Sequence, residues 1–256
     1  MPSDLSAGPA PVRLLGVEFA GLRPDEVVDR VAARAPSSPF AYVVTPNADH
    51  LIRLSSKPEL APLYEAAALR LLDSRVVARL ARLFGLAAPP VVTGSDLTAA
   101  LLERVVIGSE DPVAVLGGSE ETAAALRARY GLARLAHHNP PMGFDREPAA
   151  QEAAIRFVED HPARFCFLAV GSPRQEIVAE ALVRRGKATG IGLCIGASLL
   201  FLTGAERRAP RAVQGVGVEW AWRLANDPRR LARRYLLDSP QIVRLIWREA
   251  RHRHAA

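Results

Sequence analysis

Residues 165–195 read FCFLAVGSPRQEIVAEALVRRGKATGIGLCI, and the order of residue types in this stretch decides the fold. Phe165 to Val170 is a short apolar run that stops at Gly171-Ser172-Pro173, a helical pattern follows from Pro173 to Arg185, and a second strand-like run occupies Ala188 to Ile195. Short apolar runs bounded by turn residues read as strands buried on both faces. Two of them separated by one helix pair in parallel through a right-handed crossover.

The same alternation extends outward. Strands are expected near Val12 to Phe19, Phe40 to Val44, Leu69 to Leu72, Pro90 to Val92, Val113 to Leu116 and Arg134 to His137. Helices are expected near Pro24 to Ala35, Ala48 to Ser55, Pro58 to Ala68, Arg75 to Phe84, Asp96 to Val106, Glu120 to Tyr130 and Pro148 to Asp160. This predicts an α/β fold: a Rossmann-like, mostly parallel sheet with helices on both faces. After Gly204 only helical patterns remain, near Val216 to Ala225, Arg229 to Leu236 and Pro240 to Arg253, the last with Ser239 as cap and Pro240 in the first turn. The expected division is a leader over residues 1–11, an α/β catalytic core over 12–204 and a basic helical C-terminal appendage over 205–256.

Composition excludes several classes. With 256 residues, 49% hydrophobic and 23% charged, the chain can bury a sizeable core. The longest apolar run, Ile191 to Leu202, is interrupted by Gly192, Gly196 and Ser198 and falls short of the roughly 20 residues of a spanning helix. Met1 to Pro11 carries Asp4 and no apolar segment of the signal-peptide kind, so a cytoplasmic location is expected. Cys166 and Cys194 lie inside strand-like runs and read as buried small hydrophobes rather than a disulfide pair. The net charge of +6 is unevenly spread: residues 205–256 hold 12 Arg against 5 acids, leaving 21 basic and 22 acidic residues for the rest. A basic tail on a near-neutral body suggests an acidic partner, whether phosphate, nucleic acid or an anionic membrane.

In open α/β sheets ligands bind beyond the carboxyl ends of the strands. Four turns there deserve weight: Thr45-Pro46-Asn47, Asp73-Ser74, Gly117-Gly118-Ser119 and Gly171 through Glu176. Each has an ordinary explanation. Ser172 with Gln175 fits a capping box, Asp73 fits a helix cap, and Thr45 and Asn47 fit a turn around Pro46. Each also has a chemical one: Arg174 beside a helix N-terminus can hold an anion, and Asp73 can act as a general base. Gly117-Gly118 lacks the third glycine of the dinucleotide fingerprint. No Asp-x-Asp pair exists to cradle a divalent ion, and His137 and His138, adjacent on a strand, point to opposite faces. No cofactor is expected.

Taken in order, VVTPNADHL, LLDSRVV, VTGSDL, VLGG, NPPMGF, FLAVGSPRQE, IGASLLFLTGAERRAP and GVEWAWRLANDPRRLARRY resemble the WecG/TagA/CpsF family of bacterial glycosyltransferases. The resemblance implies transfer of a hexosyl or N-acetylhexosaminyl group from a UDP-sugar, with inversion and without a metal. The implied acceptor is a saccharide on a lipid diphosphate of the undecaprenyl type, in the synthesis of surface polysaccharide; NPPMGF leans toward exopolysaccharide. It implies Asp73 as the catalytic base and Thr45 and Asn47 as lining of the sugar site. Substrate contacts fall to Gly117, Gly171, Arg174, Gln175 and Glu176, and to Arg223, Arg230, Arg233 and Arg234 in the tail, whose arginines meet diphosphate. Three positions depart from the family pattern: Val91 stands where Arg is usual, Leu200 where Asp is usual, and Ser74 where Gly follows the catalytic Asp. Two alternatives stay open: a family member that binds nucleotide sugar without turnover, motivated by Val91 and Leu200, and a protein that binds an anionic surface or nucleic acid. Against nucleic acid stands the lack of aromatic residues spaced for stacking in the tail.

The last helix is amphipathic. Ile242, Leu245 and Ile246 share one face, and Arg244, Arg248 and Arg251 another. Its apolar stripe suits a membrane surface as well as a protein core, because interfacial and surface helices share such a moment. The membrane reading makes the protein peripheral to the inner face of the cell membrane. It also predicts that deletion after Ser239 weakens vesicle binding while sparing transfer, whereas deletion from about Gly215 abolishes both. Homo-oligomerisation is left open by the sequence.

Overall fold

The computed structural model describes Leu5 and residues 8–107, 110–204 and 239–254. The helices expected over Val216 to Ala225 and Arg229 to Leu236 lie outside the described residues, as do Arg223, Arg230, Arg233 and Arg234.

The chain opens with β1 (Val12–Leu14) and β2 (Val17–Phe19), an antiparallel hairpin, followed by α1 (Pro24–Ala33). Then come β3 (Ala41–Val44), α2 (Ala48–Ser56), a 3₁₀ turn (Pro58–Leu60), α3 (Ala61–Glu65), β4 (Leu69–Arg70), α4 (Arg75–Leu83) and α5 (Gly94–Leu101), which widens into a π turn (Leu102–Val106). The second half contains β5 (Val113–Leu116), α6 (Glu120–Tyr130), β6 (Leu135–His138), α7 (Pro148–Asp160), β7 (Phe165–Leu168), α8 (Arg174–Arg185), β8 (Ile191–Cys194) and α9 (Ser198–Leu202). The C-terminal α10 spans Ser239–His254.

Six strands form one parallel sheet in the order β4-β3-β8-β7-β5-β6, the Rossmann-like α/β architecture that the alternation predicts. Its register explains why the strands are apolar throughout. Val43, Leu193, Phe167 and Val115 are aligned neighbours and all enter a core shared with α1, α5, α6 and α9. Val44, Cys194, Leu168 and Leu116, one residue on, enter the opposite core with α3, α7 and α8. With both faces covered, neither set of alternate residues can be polar. Cys166 and Cys194 are free and buried, as expected, and burial pushes the Cys166 thiol up to about 12.

Two strand expectations need correction. Val12 to Phe19 is not one strand but two, because Leu15 and Gly16 take positive φ of 50° and 79° and turn the chain back on itself. Such a pair of left-handed residues is the turn that matches the twist of a hairpin. Pro90 to Val92 contributes only a single bridge, Val91 to Leu72, since Pro90 has no N–H to extend a ladder.

The last helix packs on the core, one of the two readings its apolar stripe leaves open. Ile242, Ile246 and Ala250 are 2%, 0% and 4% exposed and complete a third core cluster with Leu14, Val17, Phe19, Leu51, Leu72 and Val77. The apolar stripe thus covers the hairpin, α2 and α4. Glu249 accepts the Leu15 N–H at 2.6 Å, and Arg253 donates to the Arg13 carbonyl at 2.6 Å, pinning the helix to the hairpin. Opposite this stripe Val243 and Trp247 are exposed, and Arg251 lies 4.8 Å over the Trp247 ring. Among the described residues, no helix is long and apolar enough to cross a membrane.

Candidate active site

The carboxyl edge of the sheet gathers the residues singled out in the sequence. At the β4 end, Asp73 follows Leu72, and its Oδ2 accepts the Gly94 N–H at 3.0 Å at the start of α5. The capping role open to Asp73 belongs to its neighbour: Ser74 caps α4 by accepting from Val77 N. Asp73 is thereby fixed by a helix N-terminus other than the one it precedes.

Thr45, just beyond β3, donates to the Cys194 carbonyl of β8 at 3.2 Å. A Cβ placed on Gly94 would lie 3.0 Å from Thr45 Oγ1, 3.4 Å from Ser198 Oγ and 3.7 Å from Asp73 Oδ2. Three side-chain oxygens therefore converge over one glycine, drawn from the ends of β3 and β4 and the start of α9. A side chain there would press against Thr45 Oγ1. Asn47 caps α2, its Oδ1 accepting from Asp49 N at 3.1 Å and lying 2.7 Å from His50 Nδ1. Pro46 donates no N–H but accepts the Asp73 N–H through its carbonyl at 2.9 Å, which joins the two turns.

A second feature lies between β5 and β7. The chain leaves β5 toward β6 on one side and leaves β7 toward β8 on the other, so a topological switch point opens between them. Its lips are glycines. Gly117 has φ of 98°, and a Cβ there would sit 2.8 Å from the Ala169 carbonyl. His137, whose ring approaches the Gly117 and Gly118 carbonyls at 3.2 and 3.1 Å and Glu120 at 3.0 Å, braces this turn from below. Among the described residues no cluster of three His, Cys, Asp or Glu stands ready for a metal.

Between the two lies the Gly171 to Glu176 turn, and here the capping box is not made. Helix α8 begins at Arg174 with no side-chain cap, after a cis Ser172-Pro173 bond. Ser172 Oγ instead accepts from Arg53 Nη1 at 2.9 Å and lies 3.3 Å from the Tyr64 hydroxyl. Gln175, 3% exposed, accepts the Gly196 N–H at 2.9 Å and donates to Glu176 Oε1 at 2.9 Å. It ties α8 to the turn that carries Ser198. Arg174 is half-buried beside Gly171, its guanidinium 3.5 Å from Met142 Sδ.

These placements give the context for the comparison with known families. The model described as "Glycosyl transferase WecG/TagA/CpsF family" matches residues 12–256. The chain belongs to the WecG/TagA/CpsF family. The match spans nearly the whole chain, including all the turns above. In this glycosyl transferase the departure Val91 is half-buried in the third core cluster beside the Asp73 strand, and Leu200 is half-buried on α9.

Sequence reasoning missed Gly94, Ser198, Arg53 and Tyr64. Gly94 was visible as the middle of VTGSDL, but nothing local says that its N–H meets Asp73, 21 residues away.

Glu176 supplies a test of this region. It is 1% exposed, and burial raises its pKa against the opposing pull of its hydrogen bonds and of Arg53. An unfolded Glu titrates near about 4.3. Above that pH the folded protein holds more protons than the unfolded chain, so stability is fully present below about 4.3 and is lost as pH rises through the native value. Glu176→Gln removes this loss. Its stability relative to wild type, measured by urea melts from pH 4 to 8, is expected to rise with pH and then level off; parallel curves across the range would refute the buried-acid assignment.

Proposed function

We propose that this family member is an inverting, metal-independent glycosyltransferase. It takes a sugar from a UDP-sugar donor and places it on a lipid-diphosphate-linked saccharide at the inner face of the cell membrane, in surface polysaccharide synthesis. The observation that carries the reading is the layout of the sheet edge. Asp73, Thr45 and Ser198 converge at one end, the glycine-lined switch point opens at the other, and the N-terminus of α8 with Arg174 stands between. From β4 to β5 is four strand intervals, about 19 Å at about 4.8 Å each. Such an edge suits an extended ligand with a base at the switch point, a diphosphate in the middle and a sugar at Asp73.

Inverting transfer is an in-line displacement at the anomeric carbon. The acceptor hydroxyl forms the new bond and gives its proton to Asp73, and the bond to the diphosphate breaks, releasing UDP. Negative charge grows on the leaving oxygen, where the α8 N-terminus, Arg174 and the tail arginines Arg223, Arg230, Arg233 and Arg234 would stabilise it. Exposed Trp247 and Val243 beside Arg244, Arg248 and Arg251 support docking to an anionic membrane surface.

The test is a donor screen with a short prenyl-diphosphate saccharide as acceptor, together with thermal shift against UDP, NAD and an oligonucleotide. Stabilisation by UDP alone and turnover that survives EDTA are expected. Loss of transfer in EDTA restored by Mg²⁺ or Mn²⁺ would rule out the metal-independent step. UDP binding with no transfer to any donor–acceptor pair would favour the non-catalytic reading that Val91 motivates.

A further inference from the structure

Arg53 sits on α2, two turns beyond the Asn47 cap, and donates to Ser172 on the far side of the sheet edge. A guanidinium has five N–H donors in a fixed fork, and a bond to a serine hydroxyl uses one and needs no charge. Several arginines of the body are matched by acids, Arg104 with Asp25 and Asp29, Arg127 with Glu120 and Arg185 with Glu152, and others, such as Arg30 and Arg34, are held by backbone carbonyls. Among the described residues no carboxylate pairs with Arg53 or with Arg174, although both are half-buried. A partly desolvated cation without a counter-charge is costly.

At the neighbouring acid, Glu176, burial outweighs the pull of Arg53. Glu176 is buried behind Ser172, its Oε2 has no hydrogen-bond partner, and burial favours its neutral form. Among the described residues, the turn between β7 and α8 is therefore flanked by two guanidiniums with no ion-pair partner, one from α2 and one from α8. Between them stand a serine hydroxyl, the N–H groups of a 12-residue helix and one unpartnered buried carboxyl oxygen.

We infer that Arg53, together with Arg174 and the Ser172 hydroxyl, forms a diphosphate-binding subsite in which Arg53 contacts the phosphate oxygens directly. This deepens the proposed reaction and rests on it for the ligand class, a pyrophosphate group carried by the donor nucleotide or by the lipid acceptor. The competing role is a purely structural clamp from α2 to the β7–α8 turn. A clamp works through Ser172; a phosphate contact works through the guanidinium.

Titration calorimetry on the full chain separates them, using inorganic pyrophosphate, UDP, uridine and farnesyl diphosphate against wild type, Arg53→Gln, Arg53→Lys and Ser172→Ala. Arg53→Gln is expected to weaken pyrophosphate and at least one of UDP and farnesyl diphosphate by about 10-fold or more. Uridine affinity and Tm should stay at wild-type values, and the diphosphate that loses affinity identifies the source. Arg53→Lys should recover part of the loss, since a point charge lacks the planar fork. Ser172→Ala should be much the milder change. Unchanged pyrophosphate affinity in Arg53→Gln overturns the subsite, as does a Ser172→Ala variant that matches Arg53→Gln in both binding and Tm. Wild-type protein that binds pyrophosphate through Arg53 but neither UDP nor farnesyl diphosphate would keep the subsite and retire the proposed substrates.

Discussion

Asp73→Asn is expected to lower the transfer rate by about 10² to 10⁴ while leaving Tm and UDP affinity unchanged, because general-base catalysis contributes about that much. Asn keeps the size of the side chain and an oxygen that can accept the Gly94 N–H, which Asp73 Oδ2 now accepts at 3.0 Å. What it loses is the ability to take a proton. Asp73→Ala makes the contrast: it also leaves the Gly94 N–H without its Asp73 acceptor, while Thr93 still caps α5, at a cost of about 1–3 kcal/mol if water cannot replace it. Catalytic loss shared by both variants, with destabilisation confined to the alanine, is the signature of a base held by a helix N-terminus. An Asp73→Asn enzyme retaining more than about a tenth of wild-type turnover would remove Asp73 from the chemistry.

The sequence makes this residue a candidate without choosing between its roles, and the reason is local. Asp73 and Ser74 are both good cap residues, and either could start α4. The structure gives the cap to Ser74, and only that assignment leaves Asp73 for the site. Elements are legible where the signal is a run of side chains. The register that sends Val43, Leu193, Phe167 and Val115 to one face follows from period-two burial in strands covered on both sides. Strand order is another matter. Gly94, Thr45 and Ser198 meet because β4, β3 and β8 are neighbours, and nothing in the spacing of residues 45, 94 and 198 encodes that adjacency. Ser172 shows the opposite failure, a local pattern overridden by tertiary contacts: the capping-box spacing is present, yet Arg53 and Tyr64 claim the hydroxyl and Gly196 claims Gln175. The hairpin was hidden because Leu15, unlike glycine, carries no signal for a positive φ.

The last helix divides its work by face, and each face has its own expected result. Ile242 and Ile246 are nearly fully buried against the hairpin, α2 and α4, so Ile246→Ala should cost about 2–5 kcal/mol through lost burial and the cavity left behind. At about 2–4 °C per kcal/mol for a chain of this size, Tm should fall by roughly 4–20 °C. Deletion after Ser239 would uncover the whole third cluster, including Leu51 of α2 and Val77 of α4. Those helices follow the turns that hold Asn47 and Asp73, so this deletion is expected to abolish transfer to a soluble acceptor too, contrary to the expectation from amphipathicity alone. The membrane role then falls to the exposed side. Replacing both Arg244 and Arg248 by Gln removes two cations worth about 1 kcal/mol each near an anionic surface, or roughly 30-fold in vesicle affinity at low salt. Both are exposed, so Tm should not move. Vesicle sedimentation that is indifferent to the double substitution would remove the basic face from membrane docking, and an unchanged Tm in Ile246→Ala would show that the buried stripe contributes nothing to holding the hairpin in place.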